Sequence, residues 1–207
     1  MEHVTGKAYF RHCALTVTPD VLIPRHETEL VAEHAIGMIR KNGYRSALDL
    51  CTGSGCIAIA LATETQVQID ACDISEAALK IAQCNAESNG AKIRFFISDM
   101  LCDADGRYDI IVSNPPYVSE TEYAQLNKSV RLYEPRTALL AGDGLSFYRT
   151  IAAQAGDRLI KGGALVLEIG AYQAKSVKAL LKDGGLHEIS VYKDYSGRDR
   201  IVTARKI

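Results

Sequence analysis

Ala47-Leu-Asp-Leu-Cys-Thr-Gly-Ser-Gly-Cys-Ile-Ala-Ile-Ala-Leu-Ala62 opens on a short apolar run, breaks at Thr52-Gly-Ser-Gly55 and resumes as a helix-forming stretch from Ile57. A short strand, a glycine turn and a helix make the first unit of a parallel sheet covered by helices. The alternation continues downstream. A strand at Val67–Asp73 leads to a helix with Ser75 as N-cap, which closes at Asn89-Gly90. Strands follow at Ile93–Ile97 and Asp109–Ser113, then a longer excursion, then a helix over about Ser146–Ile160 that ends at Gly162-Gly163. Ala164–Ile169 reads as a fifth strand, and Gln173–Lys182 as a helix closing at Gly184-Gly185. Two last strands, His187–Lys193 and Arg200–Ala204, are joined by Asp194–Asp199 with no helix between them. Such a pair must be antiparallel. The pattern predicts a doubly wound α/β sheet, mostly parallel, with an antiparallel C-terminal edge hairpin and its ligand at the carboxyl ends of the first strands.

Upstream, Leu30, Val31, Ala35, Met38 and Ile39 mark one face of a helix over about Thr28–Arg40. Tyr9 to Ile23 alternate in a way that predicts a short hairpin. Residues 1–207 thus read as a single domain, with 1–27 as a hairpin or linker appendage. The 207 residues carry a net charge of −1, with 47% hydrophobic and 24% charged side chains. That composition excludes disorder, collagen and coiled coil, and it offers no polybasic surface for nucleic acid or membrane. The six cysteines form no Cys-x-x-Cys pair and the five histidines no ligand cluster. Buried free thiols in a reducing, cytoplasmic setting and no metal are the expectation. No apolar run approaches the roughly 20 residues of a membrane span.

The turn Cys51-Thr-Gly-Ser-Gly55 lets the backbone approach a ligand, and the helix after it presents unpaired N–H groups. Asp73 closes the second strand, 20 residues after Gly53, the separation at which an acid meets ribose hydroxyls. A dinucleotide turn wants Gly-x-Gly-x-x-Gly, and here Cys51 and Ala58 occupy the first and third glycine positions. The pattern small-x-Gly-x-Gly suits S-adenosylmethionine, which has no phosphate. Asp99, after the third strand, is then placed to accept from an adenine amino group. A plain tight turn with solvated acids stays open at this point.

The fourth strand runs into Asn114-Pro-Pro-Tyr117. Asn-Pro also starts turns, so a rigid loop is the plainer reading. Two prolines beside a cofactor crevice favour chemistry. Methyl transfer needs a nitrogen about 3 Å from the methyl carbon and in line with it. The lone pair of a planar amide or aromatic amine points away from that line. Asn114 Oδ1 and the Pro115 carbonyl each accept one N–H of such a group, and Pro115 and Pro116 fix the carbonyl by locking φ. Tyr117 offers a ring face to the planar group. The nitrogen sheds its proton after transfer, so no general base is assigned.

Taken together these residues resemble the glutamine N5-methyltransferases that modify peptide chain release factors, the PrmC/HemK family. The resemblance rests on Leu22-Ile-Pro-Arg-His-Glu-Thr-Glu29, Asp49–Gly55, Ser113–Tyr117, Tyr133-Glu-Pro-Arg-Thr-Ala-Leu139, Leu167-Glu-Ile-Gly170 with Gln173, and Ser196–Arg200. It implies a class I S-adenosylmethionine-dependent methyltransferase fold that releases S-adenosylhomocysteine. The implied cofactor residues are Cys51, Thr52, Gly53, Ser54, Gly55, Asp73, Asp99, Met100 and Asn114. The implied catalytic and glutamine-binding residues are Asn114, Pro115, Pro116 and Tyr117. The implied substrate is the glutamine of a Gly-Gly-Gln loop in a release factor, met by a monomer without direct nucleic-acid contact. Alternatives are a ribosomal-protein glutamine methyltransferase, an adenine or guanine amino-methyltransferase of nucleic acid, and a non-catalytic cofactor-binding domain. Three departures stand out. Cys51 replaces the family's first glycine, with modest crowding expected. His26 replaces a proline, which loosens that loop. The family's N-terminal helical docking domain has no counterpart in this sequence.

Overall fold

A computed structural model of the chain describes residues 5–207; the first four residues of the 1–27 segment lie outside it. The chain opens with a hairpin, β1 (Lys7–Phe10) and β2 (Cys13–Thr16), shorter than the alternation from Tyr9 to Ile23 suggests. Helix α1 (His26–Asn42) follows, and then the sheet begins: β3 (Ser46–Leu50), α2 (Cys56–Glu64), β4 (Gln68–Asp73), α3 (Glu76–Ser88), β5 (Ile93–Ile97) and β6 (Tyr108–Ser113). Two short helices, α4 (Glu120–Gln125) and α5 (Lys128–Tyr133), occupy the excursion, ahead of α6 (Ser146–Arg158), β7 (Leu159–Glu168), α7 (Ala174–Asp183), β8 (His187–Lys193) and β9 (Asp199–Arg205).

The seven strands lie in the order β5-β4-β3-β6-β7-β9-β8. The first five are parallel, and β9 runs antiparallel to both β7 and β8. The reversed strand is therefore the inner member of the C-terminal pair, and β8 forms the edge. The chain winds outward from β3 through β4 to β5, then crosses to β6 on the other side. The switch point lies between β3 and β6, where Leu50 pairs with Ser113. That register sets Cys51 and Asn114 side by side, one residue beyond the paired ends.

Neighbouring residues of the central strands pack on opposite faces, as a sheet buried on both sides requires. Ala47, Ile110 and Ala164 join α1, α2 and the hairpin on one face, while Leu48, Ile111 and Leu165 join α6 and α7 on the other. The segment ahead of α1 is locked to helices α2 and α3. Arg11 makes a two-pronged ion pair with Glu64, and buried Asn85 grips Thr16 through both its N–H and its carbonyl.

One boundary differs from the sequence reading. Gly162-Gly163 does not end a helix; α6 stops at Arg158, and β7 starts at once and carries both glycines. A Cβ at Gly163 would stand 2.9–3.2 Å from the carbonyl oxygens of Ile160, Asp109 and Tyr108. The glycine is there because β6 passes that close, and the β6–β7 register shifts at the same level.

His26 is the first residue of α1, its side chain 96% exposed. A helix start leaves its N–H groups unpaired, so a proline fits there. Arg25 is already extended (φ −100°, ψ 151°), as the residue before a proline must be. His26→Pro should therefore stabilise the chain by about 0.4–1 kcal/mol, mainly by restricting the unfolded state. A thermal melt should shift upward by about 1–4 °C; a lowered midpoint would show that His26 holds the segment in a way proline cannot.

Candidate active site

At the switch point a cavity of about 300 Å³ opens above the carboxyl ends of β3, β4 and β6. That volume suits a small-molecule ligand. Cys51, Thr52, Gly53 and Ser54 form its floor, with Asp73 and Ser75, Asp99 and Met100, and Asn114 and Pro116 around it. Much of the remaining wall comes from two segments outside the sheet, Asp20 to Thr28 before and into α1 and Thr137 to Leu140 in the excursion, with Phe147 of α6 beside them. An ion pair ties these walls together, Arg25 Nη2 to Glu134 Oε1, with the glutamate 3% exposed. The excursion carries local helix signals of its own: Ser119-Glu-Thr-Glu122 forms a full capping box on α4, and Asn127 caps α5 by accepting from Ser129 N.

The two glycines of the turn serve different ends. Gly53 faces the cavity, and a Cβ built on it meets no atom within 4 Å. Its N–H donates to Asp73 Oδ2 at 2.9 Å, while Ser75 N donates to Asp73 Oδ1 at 3.0 Å. Gly55 does not line the cavity. It has φ +83°, and a Cβ there would press on Ala82 at 3.1 Å, so it sets the packing of α2 on α3. Asn85, on the same helix as Ala82, also donates to the Ser54 carbonyl at 2.9 Å and pins the turn to the hairpin. Sequence reasoning missed Asn85, because a polar residue on a helix face gives no signal of what it will meet.

Cys51 differs from expectation in kind. Its φ of +59° lies in the left-handed region, so the family's glycine is a conformational preference rather than a matter of room. Burial pushes its thiol pKa well up, with Asp73 adding in the same direction. Cys51→Gly gives up the Sγ contact with Met100 Sδ at 3.9 Å but relieves the backbone. Denaturant unfolding should show it within about 1 kcal/mol of wild type, and Cys51→Val clearly less stable. Equal stability of the valine variant would mean that the turn relaxes out of that conformation.

Asp49, beneath the turn, is wholly buried. It accepts from Thr52 Oγ1 at 2.6 Å and Ala58 N at 3.0 Å, and burial pushes its carboxyl up to about 7. Thr52 is thus as much a support of the turn as a lining residue. Burial also raises Asp73, against the amides of Ser75 and Gly53 that favour its charged form. The amides of Gly53 and Ser75 use two of the roughly four lone-pair sites of Asp73.

On the β6 side, Ser113 Oγ donates to the Leu50 carbonyl at 2.6 Å and fixes the strand end against the turn. Asn114 and Pro116 reach the cavity; Pro115 is buried, and Tyr117 is half-buried and packed on the second core. The Tyr117 hydroxyl donates to Glu168 Oε1 at 3.1 Å, and Asn114 Nδ2 donates to Thr28 Oγ1 at 3.1 Å. Gln173 secures the loop's far end by donating to the carbonyls of Tyr117 and Gly144. Glu168 is fully buried; burial raises its pKa, opposed by hydrogen bonds from Thr28 and Tyr117 and by the charge of Arg200. Among the described residues no group of three or more His, Cys, Asp or Glu is placed to hold a metal, and no helix is long and apolar enough to cross a membrane.

Residues 28–144 match the methyltransferase small domain. The release factor glutamine methyltransferase of Chlorobaculum tepidum is 42% identical over 97% of this chain and 72% of its own length. That of Fusobacterium nucleatum is 40% identical over all of this chain and 60% of its own length, so this chain spans well under the whole of either relative. Among solved structures, the protein-(glutamine-N5) methyltransferase (release factor-specific) of Alicyclobacillus acidocaldarius aligns with a TM-score of 0.55 and 30% identity, covering 92% of this chain and 98% of that one.

Proposed function

The chain belongs to the release factor glutamine methyltransferase family, and from that premise we propose that it transfers a methyl group from S-adenosylmethionine to the side-chain amide nitrogen of the glutamine in a release factor's Gly-Gly-Gln loop. The observation that carries the reading is the pairing of Leu50 with Ser113, which sets the Cys51–Gly55 turn and Asn114 on one cavity. When bound, S-adenosylmethionine supplies an electrophilic methyl group on a sulfonium. The open space above Gly53 and the free lone pairs of Asp73 fit an adenosine moiety. In this reading Asp73 accepts from the ribose hydroxyls, Asp99 from the adenine amino group, and Met100 packs beside the base. Asn114 Oδ1 and the Pro115 carbonyl each hold one N–H of the glutamine amide, while Tyr117, which does not line the cavity, steadies the segment through its hydrogen bond to Glu168. Residues 1–207 act as one catalytic unit in which the hairpin braces the glycine turn through Asn85.

Two glycines let a substrate loop extend, so a glutamine reaches a narrow crevice. The decisive measurement is mass spectrometry of a release factor, a ribosomal protein and RNA after incubation with the chain and methyl donor. A gain of one methyl on the Gly-Gly-Gln glutamine is the expected result. Methylation of the ribosomal protein or the RNA alone would replace the proposed substrate.

A further inference from the structure

Glu168 ends β7 beneath the acceptor loop, and both of its carboxylate oxygens are engaged by residues at the site. Tyr117 donates to Oε1, and Thr28 Oγ1 donates to Oε2 at 2.6 Å. Thr28 comes from the first turn of α1 and is itself buried. Its oxygen accepts from Asn114 Nδ2 at 3.1 Å, a contact between residues 86 apart in sequence. One buried carboxylate therefore reaches both ends of the Asn114–Tyr117 segment, directly and through a hydroxyl.

We propose that Thr28 and Glu168 are positioning residues that lock the Asn114 amide with its nitrogen turned inward, and so restrict the site to a substrate that donates N–H. The inference rests on the functional reading above. It follows from counting protons. A threonine hydroxyl has a single proton, and here that proton is committed to Glu168. What remains on Thr28 Oγ1 is a lone pair, and of the two ends of the Asn114 amide only the nitrogen can meet it. Asn114 Oδ1 is left on the other side of the amide as a pure acceptor, and Asn114 lines the cavity. A glutamine amide satisfies that acceptor. A glutamate carboxylate in the same place has no proton to offer and sets oxygen against oxygen. Without the lock, the Asn114 amide is free to turn over and present its N–H₂ to an acid.

The test compares wild type with Thr28→Val, which keeps the shape and removes the hydroxyl, and with Thr28→Ser, which keeps the hydroxyl. Each is assayed with a release factor and inhibited by the same release factor carrying glutamate in place of the loop glutamine. T28V should lose roughly 10–100-fold in kcat. Inhibition by the glutamate form should tighten about tenfold or more, because the site no longer rejects an acceptor. T28S should recover most of both. Calorimetric binding of S-adenosylhomocysteine reports whether T28V is folded, and Thr28→Ala replaces it if the valine overpacks. T28V matching wild type in both readouts overturns the lock. So does a fall in kcat with unchanged inhibition by the glutamate form, since that is a structural role only. Failure of wild type to methylate any release factor overturns the functional reading and this inference with it.

Discussion

Replacing Asn114 with alanine is expected to lower kcat by roughly two decades or more, the cost of losing an oriented polar group from the transition state. Binding of S-adenosylhomocysteine should stay within about threefold, because Asn114 is one lining group among many. The amide nitrogen of a glutamine is planar and a poor nucleophile, so its two N–H bonds must be held while its lone pair is turned toward the methyl carbon. In the proposed reading Asn114 Oδ1 holds one of them. From sequence alone, Asn114→Asp looks milder, since an acceptor oxygen remains. The hydrogen bonds of the folded chain argue otherwise. The second oxygen of an aspartate would face Thr28 Oγ1, whose proton is already donated to Glu168. Either the two oxygens repel, or Thr28 turns away and leaves a buried carboxylate short of a partner. A second negative charge close to Glu168 adds to the cost. Single-turnover rates on a methyl-accepting release factor separate the chemical step from binding. A near wild-type rate for N114A would reduce the loop to a rigid strand terminus, and near wild-type rates for N114D would remove Thr28 as a constraint.

The parts of this fold that were legible in the sequence are those encoded by local rules. The Ser75 cap accepts from Ala78 N as its position implies, and Asn89 closes the same helix. The apolar runs at Ala47 and Asp109 pair in parallel because both faces are covered, which continuous hydrophobicity predicts. The turn at Gly53 and the acid at Asp73 meet because the first two parallel strands are adjacent, and their N–H to carboxylate bond is the product. What local rules do not carry is the long-range polar wiring. Asn85 bonds to Thr16 and Ser54, and Glu168 reaches Thr28 across 140 residues; each looks like an ordinary polar residue until the sheet brings its partner. Cys51 is an intermediate case. Its left-handed backbone is inherited from the turn, and a cysteine gives no hint that it must adopt a glycine's conformation. The boundary at Gly162-Gly163 failed for a related reason, since those glycines answer to the backbone of β6 and not to a helix end.

In the proposed reading Asp73 is where the turn and the ligand site share one group, and this makes its substitution the second large effect. Asp73→Ala is expected to weaken binding of S-adenosylmethionine and S-adenosylhomocysteine by about 1–3 kcal/mol, the range of charge-assisted hydrogen bonds to a carboxylate. Part of that loss is indirect. Gly53 N and Ser75 N each donate to a different oxygen of the carboxylate, so the alanine variant also releases the amides that shape the floor. Asparagine is no remedy. Its N–H₂ would face one of those two backbone N–H groups, donor against donor, and Asp73→Asn should bind nearly as weakly as the alanine. Glutamate keeps both acceptors but adds a methylene where the strand end is tightly held, and should fall between. The charge itself has a pH consequence. Burial raises the Asp73 carboxyl above its ordinary value of 3.8, so the charged acceptor is lost on acidification sooner than for a free aspartate. Ligand affinity should fall on the acid side in wild type, and this part of the pH profile should flatten in D73A. Isothermal calorimetry across that range, with melting curves to confirm folding, reads both effects. Affinity unchanged in a folded D73A would leave the carboxylate as a brace for Gly53 and Ser75 and transfer ribose recognition to another residue of the rim.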